Sequence, residues 1–417
     1  MRTRVLRTAR QFRTALGQRL YRPSHLRVLM DGTLSAAAAT HAERHLREAV
    51  AWIKRMHDVG GGRGVSASYS FGHGFFPPYP ETTGYIIPTL LDVRTRYGDE
   101  DAGRRAFQMA AWLAEIQMEC GAIQAGYYGR DPSGMLSQER PQPSVFNTGQ
   151  VMLGWNRCYR EVGDVRCRDA SLRAGRWLLS LQGPDGSWPR GFTRHPSNPR
   201  RSYETRVAWA LIEAGQLLEE PSFIAAGRSA IQWALSRQQP NGWVQGCGFT
   251  PEEWAFTHTI AYVCEGILEG ALLLGQDDWI ASVGRVLEPL RRGFGGLPFL
   301  PGIFDEGWRH RGNFSCLTGS AQVSGLWLRY GHLAGEARFV EAGRRLNDFL
   351  MRTQNLTTRN PGIRGGIAGS YPIYGEYCPW SHPNWAAKFF VDSLLVQLHG
   401  VAGAGRAVGV GHVRRAG

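Results

Sequence analysis

The chain is nearly devoid of lysine: Lys54 and Lys388 are the only two among 48 basic residues. It has no CxxC pair, and its seven cysteines lie scattered at positions 120, 158, 167, 247, 264, 316 and 378. An odd, dispersed set of that kind gives neither a disulfide framework nor a zinc site, so no metal and no cofactor is expected. No apolar run approaches the roughly 20 residues needed to cross a bilayer. The first thirty residues contain no acid and no uninterrupted apolar stretch, which argues against a secretory signal. Together these absences lead us to expect a cytoplasmic protein.

Charge is unevenly spread. The net charge of +13 sits at the two ends, with eight arginines in residues 1–30 and three more after position 400. The body between them is close to neutral. A basic start of this kind fits peripheral contact with an anionic membrane surface or polymer, and equally a solvated tail from a GC-rich genome. No specific nucleic-acid partner is expected. The domain plan read from this pattern is a basic segment over 1–38, a folded domain over 39–400 and a flexible basic tail over 401–417.

Two signals alternate through the body. The first is an aromatic residue followed five positions later by glutamine at the end of an amphipathic helix: Trp112/Gln117, Trp177/Gln182, Trp233/Gln238 and Phe349/Gln354, with Trp52/His57 a degenerate copy. The segment Asp277 to Arg292 supplies the missing copy without the signature. The second is a polar residue, usually followed by threonine, that opens an apolar helix: Thr82-Thr83, Asn147-Thr148, Glu204-Thr205, His258-Thr259, Leu317-Thr318 and Asn384-Trp385. Successive copies are 54 to 67 residues apart. The repeat predicts six helical hairpins.

Helices such as "DAGRRAFQMAAWLAEIQM" carry charge on one face and suit an outer ring, whereas "GYIIPTLLDV" and "VAWALIEAG" are apolar nearly all round and suit an inner one. Six such hairpins close into a double ring, an all-α (α/α)6 toroid, and closure removes the need for end caps. The loops from outer to inner helix are long and rich in Gly, Pro and aromatics, which marks them as functional. All inner helices would run the same way, so their polar starts should meet in one cleft. Glu81, Asn147, Tyr203, Glu204, Arg206, His258 and Asn384 are the expected neighbours.

On these repeats the chain resembles the (α/α)6 toroid enzymes, which include six-hairpin glycoside hydrolases, uronate polysaccharide lyases, glucuronyl C5-epimerases and terpenoid cyclases. "QGPDGSW" (Gln182 to Trp188) is similar to the Q-x-x-x-G-x-W element of squalene-cyclase and prenyltransferase repeats. The resemblance spans about residues 40–400 and is architectural; function has to be argued from the site. The DxDD acid of class II cyclases is missing. The zinc set of the prenyltransferases has no counterpart, and Cys316 with His382 lacks the context of a lanthionine-cyclase zinc site.

Three chemistries suit the inner-helix starts. An inverting glycosidase needs a carboxylic acid and a carboxylate base, for which Glu81 and Glu204 are candidates and Asp305 and Glu306 substitutes. A uronate lyase or epimerase needs groups that neutralise the sugar carboxylate beside an acid or base; Asn147, Arg206, His258, Tyr203 and Tyr262 form such a set. Lys388, one turn into the last inner helix among apolar neighbours, must find an anion or the cleft. Asn384 is expected at the same cleft. Trp308 is expected to stack on sugar, as are Trp188, Trp243, Trp254, Tyr374 and Trp380. Each has a structural alternative: the threonines and asparagines as helix caps, Glu81 as a charge on the helix dipole, Glu204 and Arg206 as each other's partner, and the loop aromatics as pins. The expectation is an enzyme acting on an acidic oligo- or polysaccharide by hydrolysis or uronate proton abstraction. The alternatives are an isoprenoid-binding, cyclase-like protein and a non-catalytic scaffold of envelope polysaccharide synthesis.

Overall fold

The computed structural model describes residues 14–30, 41–133, 141–190, 200–250 and 254–400. A short helix α1 (Pro23–Met30) precedes six pairs: α2 (Ala42–Val59) with α3 (Pro80–Tyr97), α4 (Glu100–Glu115) with α5 (Val145–Val162), and α6 (Val165–Leu181) with α7 (Thr205–Leu217). The series continues as α8 (Pro221–Leu235) with α9 (Thr257–Leu274), α10 (Asp277–Phe294) with α11 (Leu317–Ala334), and α12 (Ala337–Thr353) with α13 (Asn384–His399). The second member of each pair packs on the second member of the next, and α13 returns to α3, so the inner ring closes. The chain is an (α/α)6 toroid.

The sequence signatures have mechanical explanations. Each signature glutamine ties its own turn to the next outer helix through one amide nitrogen. Gln117 Nε2 donates to the carbonyls of Gly121 and Ala170, Gln182 to Gly186 and Ala226, and Gln238 to Gly242 and Ser282. The glycine four residues on takes a positive φ, +94° at Gly121, +89° at Gly186 and +90° at Gly242. Its hydrogen faces a carbonyl of the neighbouring helix, and a Cβ there would lie 2.5, 2.6 and 2.0 Å from the oxygens of Arg173, Ser229 and Arg285. Only glycine meets both demands. Two of the threonines act similarly at the other end: Thr83 and Thr148 bond back to the carbonyls of Tyr79 and Ser144, and their hydroxyls accept from the incoming Val65 and Ile123 N–H groups. They pin loops rather than cap helices.

Among the described residues, nine short antiparallel strands stitch the long loops together. Four of them, β4 (Pro143–Ser144), β5 (Trp254–Phe256), β7 (Ser315–Cys316) and β9 (Ser381–Pro383), run straight into inner helices. β9 pairs with β1 (Ser68–Ser70), Tyr69 opposite His382, so the last loop is joined to the first. The core lies between the rings around the fully buried Trp52, Trp155 and Trp327. Truncating any one of these costs about 3–5 kcal/mol.

Of the segment expected as a basic arm, residues 1–13 and 31–38 lie outside the described residues, as does the expected tail over 401–417. The part between packs on the toroid: His25 is buried, stacks on Phe71 at 4.1 Å and shares a hydrogen bond with the Tyr69 hydroxyl at 2.9 Å. Among the described residues no helix is long and apolar enough to cross a membrane.

Candidate active site

The N-terminal ends of the inner helices and the loops above them enclose a cavity of about 610 Å³. Six expected residues line it together: Glu81, Asn147, Tyr203, Glu204, His258 and Tyr262. Glu81, Asn147, Glu204 and His258, separated by 66, 57 and 54 residues in sequence, are brought to one space because each stands at or near the start of its inner helix.

Glu204 is a strongly perturbed acid of the cavity. It closes a single 3-10 turn (Ser202–Glu204) before α7 and is only 3% exposed. Arg201 reaches its Oε1 with both Nε, at 2.9 Å, and Nη2, at 2.5 Å. Oε2 has no hydrogen bond among the described residues and is where a proton would reside. Burial pushes the carboxyl up to about 7, although the guanidinium pulls the other way. Glu81, in the first turn of α3, is the second carboxylate of the cavity.

His258 stands in the first turn of α9. Burial lowers its pKa to about 3, so it is neutral near pH 7. Its ring lies 4.2 Å from that of Tyr262 and 5.3 Å from that of Tyr377. Phe146 touches both Tyr203, at 5.4 Å, and Tyr262, at 5.2 Å, which makes a continuous aromatic wall. Burial pushes the hydroxyls of Tyr203, Tyr262 and Tyr377 far above their ordinary value, so all three stay protonated donors. Asn147 spends its amide on the loop, donating to the Gln124 carbonyl at 2.9 Å.

Four expected residues are placed elsewhere. Arg206 and Lys388 lie beneath the floor, in a second cavity of about 560 Å³ at the other end of the barrel. Arg206 is ion-paired with Glu265, and Lys388 with Asp392 at 2.5 Å. Asn384 is fully buried behind the wall, donating to the Ser66 carbonyl and the Thr82 hydroxyl. Trp308 packs edge-on against Trp243 at 5.2 Å and donates to the Asn241 carbonyl; it pins a loop away from the cavity. Asp305 caps its own turn and pairs with Arg309, and Glu306 faces Gln239 and Asn241. Trp188 is core, and of the loop aromatics expected to stack on sugar Trp380 alone is among the residues lining the cavity. Cys316 caps α11, and no metal-binding cluster exists among the described residues.

Arg201 was missed by sequence reasoning, though it stands one residue before the "SYETR" stretch that holds Glu204. Tyr79, Tyr85, Tyr127, Tyr377 and Trp385 were missed as walls. A tyrosine or tryptophan beside a helix start carries no sign of which way its ring turns.

The fold places the chain among the (α/α)6 toroid proteins, and solved structures agree. An unsaturated glucuronyl hydrolase from a Bacillus species, responsible for glycosaminoglycan degradation, superposes with a TM-score of 0.65 at 15% identity over 86% of this chain and 97% of its own. An unsaturated glucuronyl hydrolase specific for heparin gives 0.66 at 12% identity, covering 85% and 96%. The cellobiose 2-epimerase of Bacillus thermoamylovorans gives 0.66 at 11% identity, covering 85% and 98%. No protein-family profile matches the sequence, and no curated protein matches it significantly.

Proposed function

We propose that the chain is a carbohydrate-active enzyme that hydrolyses a glycosidic bond in the upper cavity, on an oligosaccharide that carries a uronate. The observation that carries this is Glu204, a buried carboxyl held by Arg201 through one oxygen and pushed by burial up to about 7, in a cavity with a second carboxylate. Glu204 donates its proton to the leaving oxygen, and Glu81 draws a proton from the attacking water in the inverting manner. The tyrosine and phenylalanine walls give flat apolar faces for the C–H side of a sugar, and the tyrosine hydroxyls donate to its oxygens. Arg201 supplies the one guanidinium lining the cavity among the described residues, and a sugar carboxylate would bind there. The likeness to two unsaturated glucuronyl hydrolases supports the same substrate class. Proton abstraction beside a uronate has less support, because Arg206 and Lys388 are committed beneath the floor and burial keeps Tyr203 protonated.

The aromatic walls favour one second reading, an isoprenoid-binding cavity. A panel of uronate-containing and neutral oligosaccharides, together with a polyprenyl diphosphate, separates the two. New reducing ends without a gain in conjugated-double-bond absorbance are expected. A gain in absorbance would mean elimination, and a response to the polyprenyl diphosphate alone would mean the second reading.

A further inference from the structure

His258 belongs to the upper cavity, but what holds its ring belongs to the lower one. Its Nδ1 lies 2.6 Å from Gln322 Oε1. The Gln322 amide is held from behind, since its Nε2 donates to both oxygens of Glu265 at 3.3 Å. Glu265 also accepts from Arg206, whose Nε donates to Gln150 Oε1 at 2.7 Å. Gln322, Glu265 and Arg206 all line the lower cavity, so the chain of bonds crosses the floor between the two spaces.

The order of donors along this chain decides a proton. A carboxylate paired with a guanidinium only accepts, so it must face the amide NH2 of Gln322. The amide oxygen is thereby turned to His258, and an amide oxygen also only accepts. The hydrogen between them must sit on Nδ1. Among the described residues nothing bonds to Nε2.

We infer that Gln322 is a positioning residue that fixes His258 as its Nδ1–H tautomer, so that Nε2 offers a lone pair to the cavity and accepts a hydrogen bond from a sugar hydroxyl. The assignment of a sugar rests on the proposed function; the tautomer does not. An amide suits this role better than a carboxylate would. It orients the ring without adding a charge that would favour the imidazolium.

Nitrogen-15 NMR of the full-length protein at neutral pH tests the assignment without any substrate. The His258 signals are identified by their loss in His258→Gln. Nδ1 is expected at the position of a protonated ring nitrogen and Nε2 at that of a bare one. In Gln322→Met, which keeps length and removes both partners, a mixture of tautomers is expected. With substrate, kcat should fall about tenfold while KM changes less, the cost of losing one hydrogen bond's worth of orientation. Glu265→Gln, which frees the amide to turn, should give the same mixture and serves if Gln322→Met does not fold. A protonated Nε2 in the unmodified protein, or a wild-type spectrum in both variants, overturns the proposal. The expected spectrum without glycan hydrolysis would overturn the functional reading and leave the tautomer standing.

Discussion

Gln354 Nε2 donates to the carbonyl of His45 at 3.2 Å, joining the last outer helix to the first across 309 residues. The same nitrogen holds the Gly365 carbonyl, and the His45 ring shares a 2.6 Å hydrogen bond with Gln354 Oε1. This is the bond that Gln117, Gln182 and Gln238 make between neighbours, used here to close the circle. Gln354→Leu strands two carbonyls and the histidine, so a loss of about 2–4 kcal/mol is expected. Gln117→Leu should cost less, because its Oε1 serves the exposed Arg173 guanidinium, which water can satisfy, in place of a part-buried histidine. Urea unfolding of the two variants checks the order, and equal values would mean that the His45 contact contributes nothing.

Two left-handed glycines, Gly98 at the end of α3 and Gly242 of the glutamine motif, separate strain from collision. At Gly98, with φ +66°, a Cβ meets nothing within 4 Å. Gly98→Ala should therefore cost only about 1–2 kcal/mol of backbone strain. At Gly242 the Cβ would come to 2.0 Å from the Arg285 oxygen, so the outer helices must part. Gly242→Ala should cost at least twice as much, read from the same unfolding curves.

These signatures explain why the fold was legible. A glutamine that must span to the next outer helix and a polar pair that opens each inner helix recur in alternation, and the six copies of the second signal give the six hairpins. The candidate site was legible only in part. Helix starts converge, which brought Glu81, Asn147, Tyr203, Glu204 and His258 together as expected. Standing near a helix start does not fix the direction a side chain takes around the helix. Arg206 lies two residues past Glu204, roughly 200° around, and Lys388 lies one turn below the start of its helix, about 6 Å deeper. Both therefore miss the cavity. Apart from Tyr203, Tyr262 and Trp380 the walls were not legible, since loops contribute most of them and turn geometry, not periodicity, aims their rings.

Arg206 is expected to matter for stability and not for substrate affinity. It is 2% exposed and ion-paired with Glu265, beneath the cavity floor. Arg206→Met leaves the Glu265 carboxylate buried and unpaired, for a loss of about 3–5 kcal/mol. Where enough protein stays folded to assay, KM should remain within about twofold, well under 1 kcal/mol of binding. A large rise in KM with unchanged stability would put the guanidinium in contact with substrate after all.

Glu204 and Glu81 divide under substitution if they act as acid and base. Glu204→Gln removes the donated proton and should lower kcat by about a hundredfold or more with little change in KM. Any such activity of the unmodified protein should decline as pH rises past about 7, where Glu204 loses its proton. Glu81→Gln should also lower kcat but leave that alkaline decline in place in the residual activity. An alkaline decline that survives in Glu204→Gln would assign it to another group.

The same two buried groups pull stability in opposite directions with pH. Glu204 binds its proton more tightly folded than unfolded, so its contribution is complete below its ordinary value of 4.5 and is lost as pH rises through about 7. His258 binds its proton less tightly when folded. Its contribution is complete above 6.5 and is lost as pH falls toward about 3. Each slope approaches about 1.4 kcal/mol per pH unit, and in the window where both titrate they oppose each other. The unmodified protein therefore hides both. In Glu204→Gln the histidine slope stands alone, and the variant loses stability relative to wild type as pH falls from about 7 to 4.5. In His258→Gln the glutamate slope stands alone, and the relative loss comes as pH rises from 4.5 to about 6.5. Denaturant midpoints measured across this range for the three proteins should fan apart in opposite directions. Parallel curves would mean that Glu204 is ionised beside Arg201 throughout, and the proton assigned to Oε2 would have to be withdrawn.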